Sequence, residues 1–184
     1  MESDRSSDKE QKLVVIDGFS AESLRDILKL ERECFPASWQ YPEAGDYYAA
    51  MLDDRENVNI FLRESGETVG YALVKPFRNA VPDLKEFDPE LLEESDKFYI
   101  ETIQILPAYR GRGGAKALLI GACEAVLKRG VDKFAIHART VNGLHEIIKR
   151  IFKGSIISSR NIEKWEWAQG EPYEYIEWIY VPRI

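Results

Sequence analysis

Residues 98–119 limit what this chain can fold into more than any other stretch. They read Phe-Tyr-Ile-Glu-Thr-Ile-Gln-Ile-Leu-Pro-Ala-Tyr-Arg-Gly-Arg-Gly-Gly-Ala-Lys-Ala-Leu-Leu. An apolar run with strand character (98–106) stops at Pro107, a turn carries Arg110, Gly111, Arg112, Gly113, Gly114 and Lys116, and a helix begins at once and runs to Arg129. Three glycines let backbone approach a ligand closely. The first amides of a helix lack internal partners and sit at the positive end of its dipole. With three cationic side chains beside them, they form a cradle suited to a pyrophosphate.

Two common nucleotide loops do not fit. A Walker loop needs Ser or Thr after its Lys, and Lys116 is followed by Ala. A dinucleotide loop needs a third glycine where Lys116 stands. The chain of 184 residues is long enough for a real core, and the expected organisation is a disordered charged tail over 1–12 and one domain over 13–184. No run of eighteen apolar residues exists to span a membrane, and the charged N-terminus lacks the apolar core of a secretion signal. Two isolated cysteines, Cys34 and Cys123, fit a reducing cytoplasm, and two His with two Cys offer no metal-ligand spacing. Residues 1–97 hold 12 Lys/Arg against 23 Asp/Glu, and residues 98–184 hold 13 against 9. The basic surplus therefore shares a half with the cradle, and the acidic whole, at net −7, argues against general nucleic-acid binding.

Hydrophobic spacing orders the rest. A strand is expected at Leu13–Asp17, then a helix capped by Ser20 that runs to Cys34 and ends at Phe35-Pro36. A second helix follows from Pro42 to Leu52, then a hairpin of Asn59–Arg63 and Thr68–Lys75 across Glu64-Ser65-Gly66-Glu67. Residues 77–97 read as irregular and acidic, with a short helix opened by Asp88-Pro89. After the cradle helix come a strand at Lys133–Ala138, a helix capped by Asn142, and a closing antiparallel pair at 155–167 and 173–181. The order β-α-α-β-β-β-α-β-α-β-β predicts an α/β fold with a mixed, mostly antiparallel sheet and helices on both faces.

Arg-x-x-Gly-x-Ala at Arg110, Gly113 and Ala115, preceded by hydrophobic-x-Pro-x-Tyr over Ile105 to Tyr109, resembles the acyl-CoA motif of the GNAT superfamily of N-acetyltransferases. The match is close over about twenty residues, and the element order agrees with the GNAT order. The resemblance implies that acetyl-CoA is the co-substrate and that no metal takes part. It places the pantetheine arm along Ile103, Gln104 and Ile105, through the backbone of Ile103 and Ile105. It places the pyrophosphate on Arg110, Gly111, Arg112, Gly113, Gly114, Ala115 and Lys116. Asn142 would touch the cofactor arm, although helix capping explains it as well. The amide of Ile105 would polarise the thioester carbonyl.

Glu101 is the candidate base. Strand alternation puts it on the face of Tyr99, Ile103 and Ile105, where apolar neighbours would favour its protonated form. The family's thiolate-protonating Tyr, seven residues after the Asn that opens the penultimate helix, is replaced here by Lys149. Tyr173, Tyr175, Tyr180 and solvent are the other candidates for that proton. His137 and His145 read as structural. Of Trp165, Trp167, Tyr173, Tyr175, Trp178 and Tyr180, one or two line the acceptor groove and the rest form core. Residues Glu31 to Trp39 resemble the first helix and following loop of the ribosomal-protein N-terminal acetyltransferases.

The expected function is acetyl transfer from acetyl-CoA to a primary amine (small molecule, polyamine or protein) by direct attack in a ternary complex, since both cysteines fall on helices away from the signature. The rival is an acyl-CoA-binding regulatory or interaction module without turnover, favoured by the missing Tyr. Seven acids against one base between Asp83 and Asp96 would draw a cationic acceptor toward the cleft, or simply form a solvated face. Whether the chain forms a homodimer stays open at this point.

Overall fold

A computed structural model describes residues 11–92, 96–165 and 170–182. Residues 1–10 of the tail expected over 1–12, Glu93, Glu94 and Trp167 lie outside the described residues. Local rules account for most elements. The Ser20 side chain accepts the Ser23 N–H at 3.0 Å and opens α1 (Ala21–Cys34), which stops one residue before Pro36. A single 3₁₀ turn (Ala37–Trp39) leads to α2 (Ala44–Asp53). Ser65 and Gly66, both at positive φ, make the tight turn between β2 (Val58–Glu64) and β3 (Glu67–Pro76). Strand β1 (Gln11–Ile16) begins two residues earlier than expected, because Gln11 and Lys12 continue the ladder opposite Glu64 and Arg63.

The largest difference from the sequence expectation lies before the signature strand. The helix there is α3 (Phe77–Leu84), and none opens at Asp88-Pro89. Phe77, Ala80 and Val81, at helical spacing, bury themselves in a second small core with Leu91, Tyr99, Ala135 and Tyr175. That apolar face outweighs the backbone bond lost at Pro82 inside the helix. Asp88 is drawn inward as an ion-pair partner instead of capping a helix.

The remaining elements are β4 (Lys97–Ile105), α4 (Gly114–Leu127), β5 (Lys133–Arg139), α5 (Leu144–Ile151), β6 (Ile156–Trp165) and β7 (Glu171–Ile179). Seven strands form one sheet in the order β1-β2-β3-β4-β5-β7-β6, antiparallel except for β4 beside β5. Helix α4 covers one face, where Leu118 approaches Gly70 of β3. Helices α1 and α2 cover the other, where Tyr48 packs edge-on against Tyr71. The mixed sheet with helices on both faces is the expected fold class.

Candidate active site

Strands β4 and β5 pair only from Lys97–Tyr99 with Lys133–Ala135. Beyond that point β5 continues along β7, and β4 from Ile100 to Ile105 keeps β3 on one side and, among the described residues, no strand on the other. The edge that results leaves backbone groups without a strand partner, open to pairing with an extended ligand. Within this segment the β3–β4 register slips: Leu73 faces Thr102 while Val74 faces Ile100, so Glu101 is the extra residue of a bulge.

The bulge corrects the expectation for Glu101. Ile105 lies against Gly114 at the start of α4, and Ile103 shares that face through its partner Ala72. Glu101 instead joins Tyr99 and Thr102 on the α1–α2 side, lining a pocket there. Gln104 also points that way; its buried amide donates to Glu31 at 3.0 Å and to the Tyr48 hydroxyl at 3.2 Å, so its side chain braces α1 and α2 against β4. The neighbours of Glu101 are polar, not apolar. The Lys75 ammonium lies 3.0 Å from one carboxylate oxygen, and the Tyr47 hydroxyl donates to the other at 2.9 Å. Burial first, then the charge of Glu101, pushes the Tyr47 hydroxyl far above its ordinary value, so it stays a donor.

The cradle stands at the far end of the open edge. Gly111 and Gly113 take left-handed φ values of 79° and 84°, and a side chain at either would point into open space above the turn. No side chain caps α4 at Gly113, so the amides that begin the helix face outward, with Ala115 in the first turn. Gly114 is buried, and a Cβ there would come within 2.9 Å of Leu62 and 3.0 Å of Ile105. Among the cations, Arg112 spreads between Ala108 O at 3.0 Å and Glu64 at 3.4 Å, and Lys116 is exposed. Arg110 turns back, donating to Ile105 O at 3.0 Å. Donors, glycines and cations fit a pyrophosphate group.

Cys34, expected away from the signature, lies against it. Burial holds its thiol pKa up, while the Arg110 guanidinium and the Ile105 backbone oppose this. The end of α1 meets the end of β4 only in three dimensions, and no spacing in the sequence announces that.

The pocket of about 330 Å³ is walled by rings. Phe35, Trp39, Tyr41, Tyr47 and Tyr48 come from the α1–α2 segment, Phe87 with Asp83 and Leu84 from the α3 segment, and His137, Trp165 and Tyr173 from β5 to β7. Trp165 and Tyr173 are thus the two late aromatics that reach the groove. Burial pushes the Tyr173 hydroxyl up to about 12. Tyr175 instead donates to Glu177 at 2.6 Å, and Tyr180 lies by Glu124. Lys149 is ion-paired at 2.5 Å with Glu174, a carboxylate only 3% exposed, which makes it a poor candidate for delivering a proton to the pocket. Asn142 is exposed and accepts the Leu144 N–H at 3.0 Å, with Gly143 as the residue that opens α5. Lys149→Ala should leave turnover unchanged and lower stability by about 1–3 kcal/mol, the cost of a buried acceptor left short of a partner; paired urea melts and rate assays check this.

His137 joins the pocket to the α3 segment. Its Nδ1 lies 3.0 Å from the Tyr99 hydroxyl and its Nε2 2.8 Å from Asp88, which also pairs with Arg160. Burial lowers the His137 pKa below its ordinary 6.5, although Asp88 opposes this. Burial also resists ionisation of Asp88, but the hydrogen bonds from His137 and Arg160 prevail and hold its pKa below the usual range. As pH falls below 6.5, the unfolded chain therefore takes up a proton at this position before the folded chain does. Stability present above that pH should decline below it. The urea midpoint of His137→Asn should lose that part of the pH dependence; an unchanged slope between pH 5 and 6.5 would contradict it.

The profile of the acetyltransferase (GNAT) family matches residues 24–147, two thirds of the chain. No curated protein matches it in sequence. Among solved structures it is similar to Arabidopsis thaliana NAA60 in complex with acetyl-CoA, at 18% identity and TM-score 0.66 over 93% of this chain and 98% of that one. It is likewise similar to the ribosomal-protein-S18-alanine N-acetyltransferase from Escherichia coli, at 15% identity and TM-score 0.63 over 95% and 97%. A third is the PaiA N-acetyltransferase from Thermoplasma acidophilum in complex with coenzyme A, at 13% and 0.61 over 92% and 99%. The family match, on a fold that opens between β4 and β5 beside an uncapped glycine-rich helix start, settles the identification: the chain belongs to the GNAT acetyltransferase family and is as such an acetyl-CoA-dependent N-acetyltransferase.

Proposed function

We propose that this protein acetylates a primary amine by direct attack on acetyl-CoA in a ternary complex, with Glu101 as the base. The observation that carries the reading is the unpaired β4 edge from Ile100 to Ile105, with the cradle at its end and Glu101 raised by a bulge toward the pocket. The co-substrate supplies an activated acyl group as a thioester. The amides of residues 111–116, with Arg112 and Lys116, would hold its phosphates. The backbone of Ile103 and Ile105 would pair with its amide-bearing arm, with Asn142 beside the path. The Ile105 N–H would take the carbonyl oxygen.

An ammonium entering the pocket loses a proton to Glu101, directly or through water, and the neutral amine attacks the thioester carbon. The C–N bond forms, the C–S bond breaks, the attacking nitrogen gives up its surplus proton to solvent, and the thiolate leaves to be protonated. Tyr173 or solvent would provide that proton, Tyr173 because it lines the pocket. Cys34 stays protonated in its buried setting, which favours direct attack over an acyl-enzyme. Mixing the protein with acetyl-CoA and a panel of amines should release free thiol in proportion to acetylated amine. Binding of acetyl-CoA without thiol release from any amine would leave only a binding module.

A further inference from the structure

The rings around Glu101 say more about the acceptor than the acids that precede β4. Nine aromatic side chains line the pocket with His137, and they pack against one another: Tyr41 on Tyr47 at 4.1 Å, Tyr47 on Tyr48 at 5.0 Å, Trp165 on Tyr173 at 5.5 Å and on Phe87 at 5.5 Å. These stacked rings are held by one another, so most of the wall is preformed and loses little freedom when a guest enters. Trp39 is held as well. The Arg139 guanidinium lies 4.4 Å from its ring centre, and Glu171 neutralises that charge through two hydrogen bonds of 2.5 and 2.7 Å.

Two carboxylates, Glu101 and Asp83, and no Lys or Arg occur among the lining residues. Glu101 lies within the pocket, already paired with Lys75, while Asp83 is exposed and acts electrostatically on Tyr41. His137 adds no positive charge near neutral pH, because burial favours its neutral form. Three acids of the acid-rich segment are engaged elsewhere. Asp88 is taken by His137 and Arg160, Glu90 lies 3.8 Å from Arg160, and Asp96 pairs with Lys133. Among the described lining residues, a second or third ammonium would find rings around it and only the exposed Asp83 as a further carboxylate.

Resting on the proposed acetyl transfer at this same site, we infer that the acceptor is a monoamine whose ammonium is carried a few bonds from a single aromatic ring. The ring lies against Tyr41, Phe87 or Trp165, and the ammonium reaches Glu101 past aromatic faces that attract it. A free arylalkylamine and the first residue of a peptide beginning with an aromatic amino acid share this chemistry. A polyamine or a lysine-rich peptide does not, and that narrows the expectation raised by the acid run.

The test has a binding arm and a turnover arm. Phenethylamine, a short peptide with N-terminal Phe, cyclohexylethylamine, butylamine and spermidine are titrated into the protein with tryptophan fluorescence and calorimetry as readouts, then offered with acetyl-CoA. Phenethylamine or the Phe peptide should bind at least tenfold more tightly than butylamine or spermidine, with cyclohexylethylamine between. Preference for phenethylamine over the peptide, or the reverse, names the source. Phe87→Ala, on a partly exposed ring, should weaken the aromatic ligand about tenfold, as expected for a lost ring–ring pair, and leave butylamine unchanged. Equal binding of all five amines, or tightest binding of spermidine, would overturn the inference even if thiol is released. Selective aromatic binding without thiol release would spare it and count against the transfer reaction instead.

Discussion

Glu101→Gln should lower kcat by about 10²-fold or more with acetyl-CoA affinity nearly intact, and the acidic limb of the pH–rate profile should disappear. Gln keeps the shape and accepts the Tyr47 hydroxyl, but it cannot take a proton. The variant also leaves the Lys75 ammonium, whose side chain is 7% exposed, facing a neutral amide. Lys75→Met alongside Glu101→Gln separates the two effects. If the single variant is slow only because a buried charge has lost its partner, the double variant should recover activity. If Glu101 is the base, the double variant stays as slow as the single one. Parent-like turnover in Glu101→Gln would reduce Glu101 to a brace between β4 and α2.

Gly113→Val should cost at least tenfold in acetyl-CoA affinity in a protein that still folds. At φ 84° a β-branched residue is strained by about 1–2 kcal/mol, and relief of that strain turns the amides that start α4 away from the pyrophosphate. Arg110→Ala should weaken binding too, by loosening the end of β4 through its bond to Ile105 O as much as by removing charge. Calorimetry reads both, with circular dichroism to confirm the fold. Full affinity in both variants would mean that the cradle does not hold the co-substrate.

Much of this was legible in the chain because its causes are local. A strand, a proline and a run of glycines and cations before an apolar helix leave few alternatives to an exposed helix start. Ser20, Ser65-Gly66 and Pro36 set their boundaries by the conformations that one or two residues can adopt. Alternation, however, assumes an unbroken ladder, and it fails at Glu101, where the bulge turns Ile103 and Ile105 to the other face. Asp88 read as a helix start, yet a hydrogen bond with His137 and an ion pair with Arg160, 49 and 72 residues away, drew it into the interior and left α3 to form over Phe77–Leu84.

The acceptor pocket was the least visible part. Its rings come from residues 35 to 173, and nothing in their spacing joins Trp39 to Trp165. Nor does spacing bring Cys34 to the backbone of Ile105. The sequence by itself determined the fold class, the cradle and the element order apart from α3, since these follow from backbone preferences and hydrophobic period within a few residues. The tertiary structure alone decided which side Glu101 faces, which charge it meets and what walls surround it. Those outcomes depend on strand register and on contacts between distant segments, which only the packed sheet determines.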